Sequence, residues 1–211
     1  MQIDPRKQPR QANYKLLIGS VLPRPIAFVS SLNEAGKVNA APFSFFTVVS
    51  TEPPLISVTC MRKPDGQMKD TARNISQQKE FVVHVVDSEN VKLVNDTATD
   101  FPPEISEVDE VGFELLPSVE IKTPRIAQSK VQMECVLHQM IPMGGNQFPN
   151  ADLIIGEVVQ FHIADELYHD GKIDTLKLDP VGRLAGTMYG TVGETFSMPR
   201  LTWNEWQEKE R

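Results

Sequence analysis

The sequence predicts a mainly β protein, a small antiparallel barrel with a few helical insertions, on three observations. Runs at about 25–31, 38–49 and 55–62 are rich in β-branched and aromatic residues, with turn chemistry at Asn33 to Lys37 and Thr51 to Pro54 between them. Two longer strand-like runs, Val131 to Ile141 and Leu153 to Ala164, flank the glycine- and proline-bearing stretch Pro142 to Asn150, which makes an extended hairpin. Helical periodicity is confined to brief insertions.

Taken in order, residues 1–12 are polar and charged, carry Pro5 and Pro9, and are expected to form a loose N-terminal arm. After the first three strands, Met68, Ala72 and Ile75 recur at helical spacing behind Asp65 and Gly66, which predicts a helix near 66–78. Glu80 to Val86 reads as a short buried strand. Ser88 to Ala98 reads as an amphipathic helix capped by Asp87 or Ser88, with Val91, Leu93 and Val94 inward. The acidic, proline-bearing segment from Thr99 to Thr123 is expected to be a long excursion over the surface. Near the end, Thr202 and Glu205 have the spacing of a capping box at the start of a helix with Trp203 and Trp206. The expected organisation is one domain over 1–211, with about 195–211 as a C-terminal extension.

Composition narrows the function classes. The chain has 211 residues, enough for one sizeable core. Its 28 acidic residues against 21 Lys plus Arg give a net charge of -7, which argues against a nucleic-acid surface but leaves room for a local phosphate pocket. Cys60 and Cys135 sit inside apolar runs and are expected to be buried free thiols. His84, His138, His162 and His169 lack metal-ligand spacing, so no metal is expected. There is no Gly-x-Gly-x-x-Gly, no Walker lysine loop and no Gly-x-Ser-x-Gly elbow. No signal peptide or long uninterrupted apolar stretch is present, so the expectation is a soluble cytoplasmic protein without a membrane partner.

The chemistry concentrates in three places. Asn39-Ala40-Ala41-Pro42-Phe43-Ser44-Phe45 opens a strand with small residues and a proline, which belongs at a sheet edge or bulge. Small side chains beside free N–H groups let a flat, heteroatom-rich ligand lie on the main chain. Lys69-Asp70-Thr71, with Arg73 and Asn74, falls in the first turns of the predicted helix, where a partial positive charge and unpaired N–H groups favour an anion. On local sequence alone, Asp70 and Thr71 read more readily as ordinary early-helix residues, with Lys69 solvated. The third place is Arg183-Leu184-Ala185-Gly186-Thr187-Met188-Tyr189, which in isolation is a turn-rich loop.

Together these stretches resemble the flavin reductase-like family of FMN-binding split β-barrels, with Greek-key-like antiparallel topology. Leu22-Pro23-Arg24-Pro25-Ile26-Ala27-Phe28-Val29-Ser30, the Asn-x-Ala-Pro-x-Ser run and Lys-Asp-Thr-x-x-Asn-Ile carry the resemblance in the family's order. The third stretch is similar to its Arg-Leu-Gly-Gly-x-x-Tyr signature, with Ala185 replacing a glycine. His84 stands where relatives have asparagine and reads as a satisfied structural residue. The resemblance implies a flavin site drawn from Arg24, Ser30, Asn39, Ala40, Ala41, Pro42, Ser44, Phe45, Thr59, Cys60, Lys69, Asp70, Thr71, Asn74, Arg183 and Tyr189. It implies FMN in preference to FAD, and hydride transfer from NADH or NADPH with no obligatory protein acid or base. Reduced flavin would then leave for a monooxygenase partner, or stay bound in a flavoredoxin-like electron carrier. Large apolar groups at Met143, Phe148, Trp203 and Trp206 add the expectation of a homodimer, with Phe148 and Tyr189 reaching the partner's flavin. The lesser alternative is that the tryptophans fold back on their own barrel.

Overall fold

The structure, a computed structural model, describes residues 1–99, 101, 105–145 and 147–209. In chain order its elements are α1 (Arg10–Ser20), β1 (Arg24–Pro25), β2 (Ala27–Leu32), β3 (Val38–Phe43), β4 (Phe46–Thr51) and β5 (Pro54–Met61). There follow α2 (Asp70–Gln78), β6 (Glu80–Val85), α3 (Val91–Asp96), α4 (Glu107–Val111), β7 (Leu115–Leu116) and β8 (Arg125–Ile126). The chain closes with β9 (Val131–Met143), β10 (Ala151–Ile163), β11 (Tyr168–His169), β12 (Lys172–Ile173), α5 (Thr175–Leu178), β13 (Val181–Arg183), β14 (Tyr189–Thr191) and α6 (Trp203–Lys209). No helix among the described residues is long and apolar enough to cross a membrane.

Seven strands form one antiparallel sheet in the order β3-β2-β6-β9-β10-β5-β4. Along β5, Ile56, Val58 and Cys60 are buried and their neighbours are not, the period of two that turns one face of a strand inward. Phe43 of β3 and Ile56 of β5 share one buried cluster with Val29, Phe81, Cys135 and Ile154, although their strands lie far apart in the sheet order. The sheet therefore curls around that cluster into a barrel left open between β3 and its far end. Ala72 and Ile75 of α2 plug one mouth of it. The β9–β10 hairpin matches its sequence expectation, though Asn146 at its tip lies outside the described residues. Gly156 sits at a bulge of β10 where any side chain would strike the Phe81 ring.

Five expectations need correction. The run at 38–49 is two strands, broken at Ser44-Phe45 where the chain turns a corner. The N-terminal arm is structured: Asp4 caps a short turn at Pro5–Lys7, and residues 10–12 already belong to α1. α2 starts at Asp70 because Asp65 and Gly66 make a turn, with Gly66 at φ +85. α3 is shorter than 88–98 because Asp87 accepts from the N–H groups of Glu89 and Asn90, which holds that stretch as a turn. The segment from Thr99 to Thr123 is less superficial than its composition suggests, since Val108 and Phe113 join a second core cluster with Phe28, Ala40 and Ile126. Both cysteines are free and buried.

Candidate functional site

The site is built on the outer edge of β3, the terminal strand of the sheet. Its inner edge pairs with β2 from Leu32↔Val38 to Ala27↔Phe43. Along the outer edge, the Ser106 hydroxyl donates to the Val38 carbonyl at 3.4 Å, and the Glu107 carboxyl hydrogen-bonds the Ala40 backbone. Burial pushes the Glu107 carboxyl up from its ordinary value, opposed by hydrogen bonds with the backbone of Glu107 and Ala40. Pro42 has no N–H to leave unpaired, which suits an edge. Beyond it, Phe45 O accepts from Thr59 N at 2.8 Å, while neither Ser44 nor Phe45 donates its N–H to a backbone carbonyl among the described residues. Of the stretch Asn39 to Ser44 that the sequence suggested, the free main-chain donor is therefore Ser44, joined by Phe45, because the α4 segment covers the first half of the strand.

At the start of β3, Asn39 and Ala41 face α2. The Asn39 amide donates to Thr71 Oγ1 at 2.9 Å and ties strand to helix. Thr71 and Asn74 are buried; the Asn74 amide donates to Ser31 Oγ at 3.2 Å, and its Oδ1 has no partner among the described residues. Both thus anchor the helix from beneath. Lys69, the N-cap of α2, makes no side-chain capping bond and is exposed at the mouth. Asp70 pairs with Arg73 on the exposed face. The accessible donors here are the Lys69 ammonium and the first-turn N–H groups. Ser30, Ala40 and Cys60 contribute walls, not contacts. All three are buried, and Ser30 donates to the Pro124 carbonyl at 2.8 Å. Burial pushes the Cys60 thiol up to about 12, partly offset by the Lys69 charge, so it stays protonated. Thr59 is half-buried beside Phe45.

Two residues that sequence reasoning missed, Arg62 and Asp152, brace the loop that leads to Lys69. Arg62 grips Asp152 through Nε at 2.9 Å and Nη2 at 2.6 Å, and its Nη1 donates to the Gly66 carbonyl at 3.2 Å. An aspartate inside an apolar run was the available signal, since a buried carboxylate needs a paired cation. Phe148 lies so close over Gly66 that any Cβ there would strike its ring. In this chain the hairpin tip therefore packs on the loop that leads to Lys69.

The far end of β3 opens on a cavity of about 210 Å³ whose lining includes Tyr14, Arg24, Pro42, Ser44, Arg183 and Tyr189. Arg24 is buried; it donates to the carbonyls of Ile18 at 2.7 Å, Val21 at 2.9 Å and Leu184 at 2.9 Å, and to Ser44 Oγ at 3.5 Å. It caps the C-terminal end of α1, where a cation is favourable. Burial lowers its pKa, Tyr14 opposes that, and Arg183 adds to it. Arg183 lies 4.4 Å over the Tyr189 ring, donates to the Tyr189 hydroxyl and reaches the Gly186 carbonyl at 2.7 Å. Tyr189 donates to Asn95 Oδ1 at 2.8 Å, so it is held by its own chain. The positive φ of this loop falls on Gly186, and Ala185 is exposed, so the alanine disturbs nothing here.

Asn39 and Ser44, at the two ends, are five residues apart, roughly 16 Å at ~3.3 Å per residue. A cationic helix mouth at one end and free main-chain donors with a guanidinium-lined cavity at the other suit an elongated ligand with an anionic tail and a polar, flat head. Among the described residues no cluster of His, Cys, Asp and Glu could hold a metal.

Comparison with known proteins fits this geometry. The flavin reductase like domain matches residues 18–177. Nitrilotriacetate monooxygenase component B from Bacillus cereus is 44% identical, with a TM-score of 0.92 over 94% of this chain and 98% of that one. The 2-nitrobenzoate 2-nitroreductase of Pseudomonas fluorescens is 33% identical, with a TM-score of 0.84 over 96% and 98%. A flavin reductase of Shewanella frigidimarina described as having a split barrel domain shares the fold at 18% identity, with a TM-score of 0.81 over 95% and 100%.

Proposed function

The chain belongs to the flavin reductase-like family, and from that premise we propose that it holds FMN along the outer edge of β3 and accepts hydride from NADH or NADPH. Bound flavin would supply the redox chemistry, and the protein its placement and electrostatics. Lys69 and the α2 N-terminus bind the phosphate, with Asn39 and Thr71 fixing the helix against the strand. The Ser44 and Phe45 N–H groups meet the polar edge of the ring, where preorganised donors stabilise negative charge. Arg183 and Tyr189 bound the ring end. Reduced flavin serves a monooxygenase partner, and the working unit is a soluble, cytoplasmic homodimer.

The observation that carries this reading is the pair of free main-chain donors at Ser44 and Phe45, set one strand-length from an uncapped helix N-terminus bearing Lys69. Titration with FMN and with riboflavin tests it. Charge-assisted hydrogen bonds contribute on the order of 1.5–3 kcal/mol each, so FMN should bind about tenfold tighter or better. Lys69→Ala should remove much of that margin, and equal affinity for the two flavins would sink the phosphate assignment. NADH or NADPH should then bleach the bound flavin anaerobically. Retained flavin that neither nucleotide reduces would make the protein an FMN-binding electron carrier instead.

A further inference from the structure

We infer that the C-terminal arm is exchanged between two copies of this chain, each arm seating its tryptophans in the partner's apolar groove and walling the ring end of the partner's site. The inference rests on the homodimer proposed above.

Every residue from 191 to 209 is exposed. Phe196 is 81% exposed, Met198 79%, Trp203 67% and Trp206 44%. No residue of α6 is buried, and its two indoles stack only on each other, 5.5 Å apart and 11° from parallel. The helix is nonetheless well made: the Thr202 N–H donates to Glu205 Oε2 at 2.7 Å, and the Glu205 N–H donates back to Thr202 Oγ1 at 3.4 Å. A formed, capped helix with no buried residue and exposed indoles is a surface prepared for another.

The complement is on the same molecule. An apolar groove of about 650 Å³ is lined by Leu22, Pro23, Pro25, Phe46, Val181 and Leu184. Val192 and Gly193, the root of the arm, form part of its rim, so the arm leaves the body at the groove without filling it. Ten residues separate Gly193 from Trp203, a reach of at most about 35 Å. In a two-fold pair each copy offers one arm and one groove, so both apolar surfaces are covered at once and the assembly closes. The groove shares Arg24, Ile26 and Val86 with the cavity of Arg183 and Tyr189. A seated arm therefore contributes a wall to that cavity, and the site is complete only in the pair.

Trp203 and Trp206 are the only two tryptophans, so intrinsic fluorescence reports the arm alone. The full chain should show blue-shifted, buried-type emission at concentrations where sedimentation finds dimers, and solvent-type emission once diluted to monomers. Leu22→Asp, at an exposed groove position, should shift the dimer's emission to the red and raise its dissociation constant at least tenfold. The double variant W203S/W206S should weaken the dimer similarly while the monomer's melting temperature is unchanged, since neither ring packs on its own body. A dimer with solvent-type emission would overturn the exchange and leave the homodimer standing. Buried-type emission that persists in the monomer would mean the arm folds back and would also overturn it. A chain that is monomeric at every concentration would overturn both.

Discussion

Two appendages leave the barrel, and they are attached in opposite ways. The excursion before β9 is stitched to the sheet by side chains that rise from the strands. The Glu134 carboxylate accepts from the N–H groups of Val119 and Glu120 at 2.8 Å, and Glu80 accepts from those of Lys122 and Thr123 at 2.9 and 2.8 Å. His84 Nε2 accepts from the Ile126 N–H at 2.9 Å. Among the described residues the C-terminal arm has no such stitches and carries large apolar groups instead. The sheet's outer face bears buried polar groups that would be unsatisfied without the excursion, which makes that segment part of the fold. The arm bears apolar surface that its own body leaves exposed; on the inference above, its cover is the groove of a second copy.

The strongest way to break this comparison is to cut the main stitch. Glu134 is fully buried; burial pushes its carboxyl up, but the Val119 and Glu120 N–H groups and His162, at 2.6 Å, more than offset that and leave it below its ordinary value. Glu134→Ala leaves those donors, and Arg125 at 4.0 Å, without their acceptor. A loss of about 3–5 kcal/mol is expected in denaturant unfolding. Amide exchange in 117–126 should accelerate, while α6 exchanges as before. A loss below about 1 kcal/mol would show that the excursion is held mainly by Val108 and Phe113.

Acid should release the same segment. The His84 ring is fully buried and holds the neutral form, with Nδ1–H donating to the Phe28 carbonyl at 2.9 Å and Nε2 accepting from Ile126. Burial lowers its pKa from 6.5 to about 4, opposed by the Phe28 bond. A histidine whose folded pKa is depressed binds its proton more readily when unfolded. Its stabilising contribution is complete above about 6.5 and disappears as pH falls through about 4, amounting to roughly 3 kcal/mol. Unfolding free energy measured from pH 8 to pH 4 should fall along that window, and His84→Asn should flatten the slope. An unchanged slope would assign the acid sensitivity to other groups.

Much of this architecture was legible in the sequence. The long hairpin, the buried thiols and the capping box at Thr202 are local patterns, and each formed as its residues dictate. The excursion was not legible, because its attachment is written in the strands: Glu80, His84 and Glu134 are single polar letters in apolar runs whose partners are distant N–H groups. At the site, Asn39 lies in β3, Ser44 directly after it and Lys69 at the N-cap of α2. Which N–H groups stay free depended on Glu107, 67 residues beyond Ala40. Arg62 and Asp152 escaped notice for the same reason, being paired across the sheet.

The finest test of the comparison lies where the excursion reaches the site. Glu107 covers Ala40 from the start of α4 and shares a cavity of about 70 Å³ with Asn39, Asp70 and Arg73. Its carboxyl is raised chiefly by burial, with the Asp70 charge adding to that and Lys37 opposing it. A carboxylic acid with a raised folded pKa adds stability below its ordinary value, and loses that contribution as pH rises through the folded value. In its ionised form Glu107 stands beside the proposed phosphate site and works against it. Glu107→Gln keeps an oxygen for the Ala40 N–H and removes the charge. FMN affinity should rise about threefold, the scale of a partly screened interaction under 1 kcal/mol, and the gain should shrink with added salt. Riboflavin, which lacks the phosphate, should gain nothing. At pH low enough to protonate Glu107, wild type and variant should bind FMN alike. A variant that loses FMN affinity at neutral pH would mean that the carboxylate is needed to hold β3 in shape, and that the excursion supports the site without tuning it.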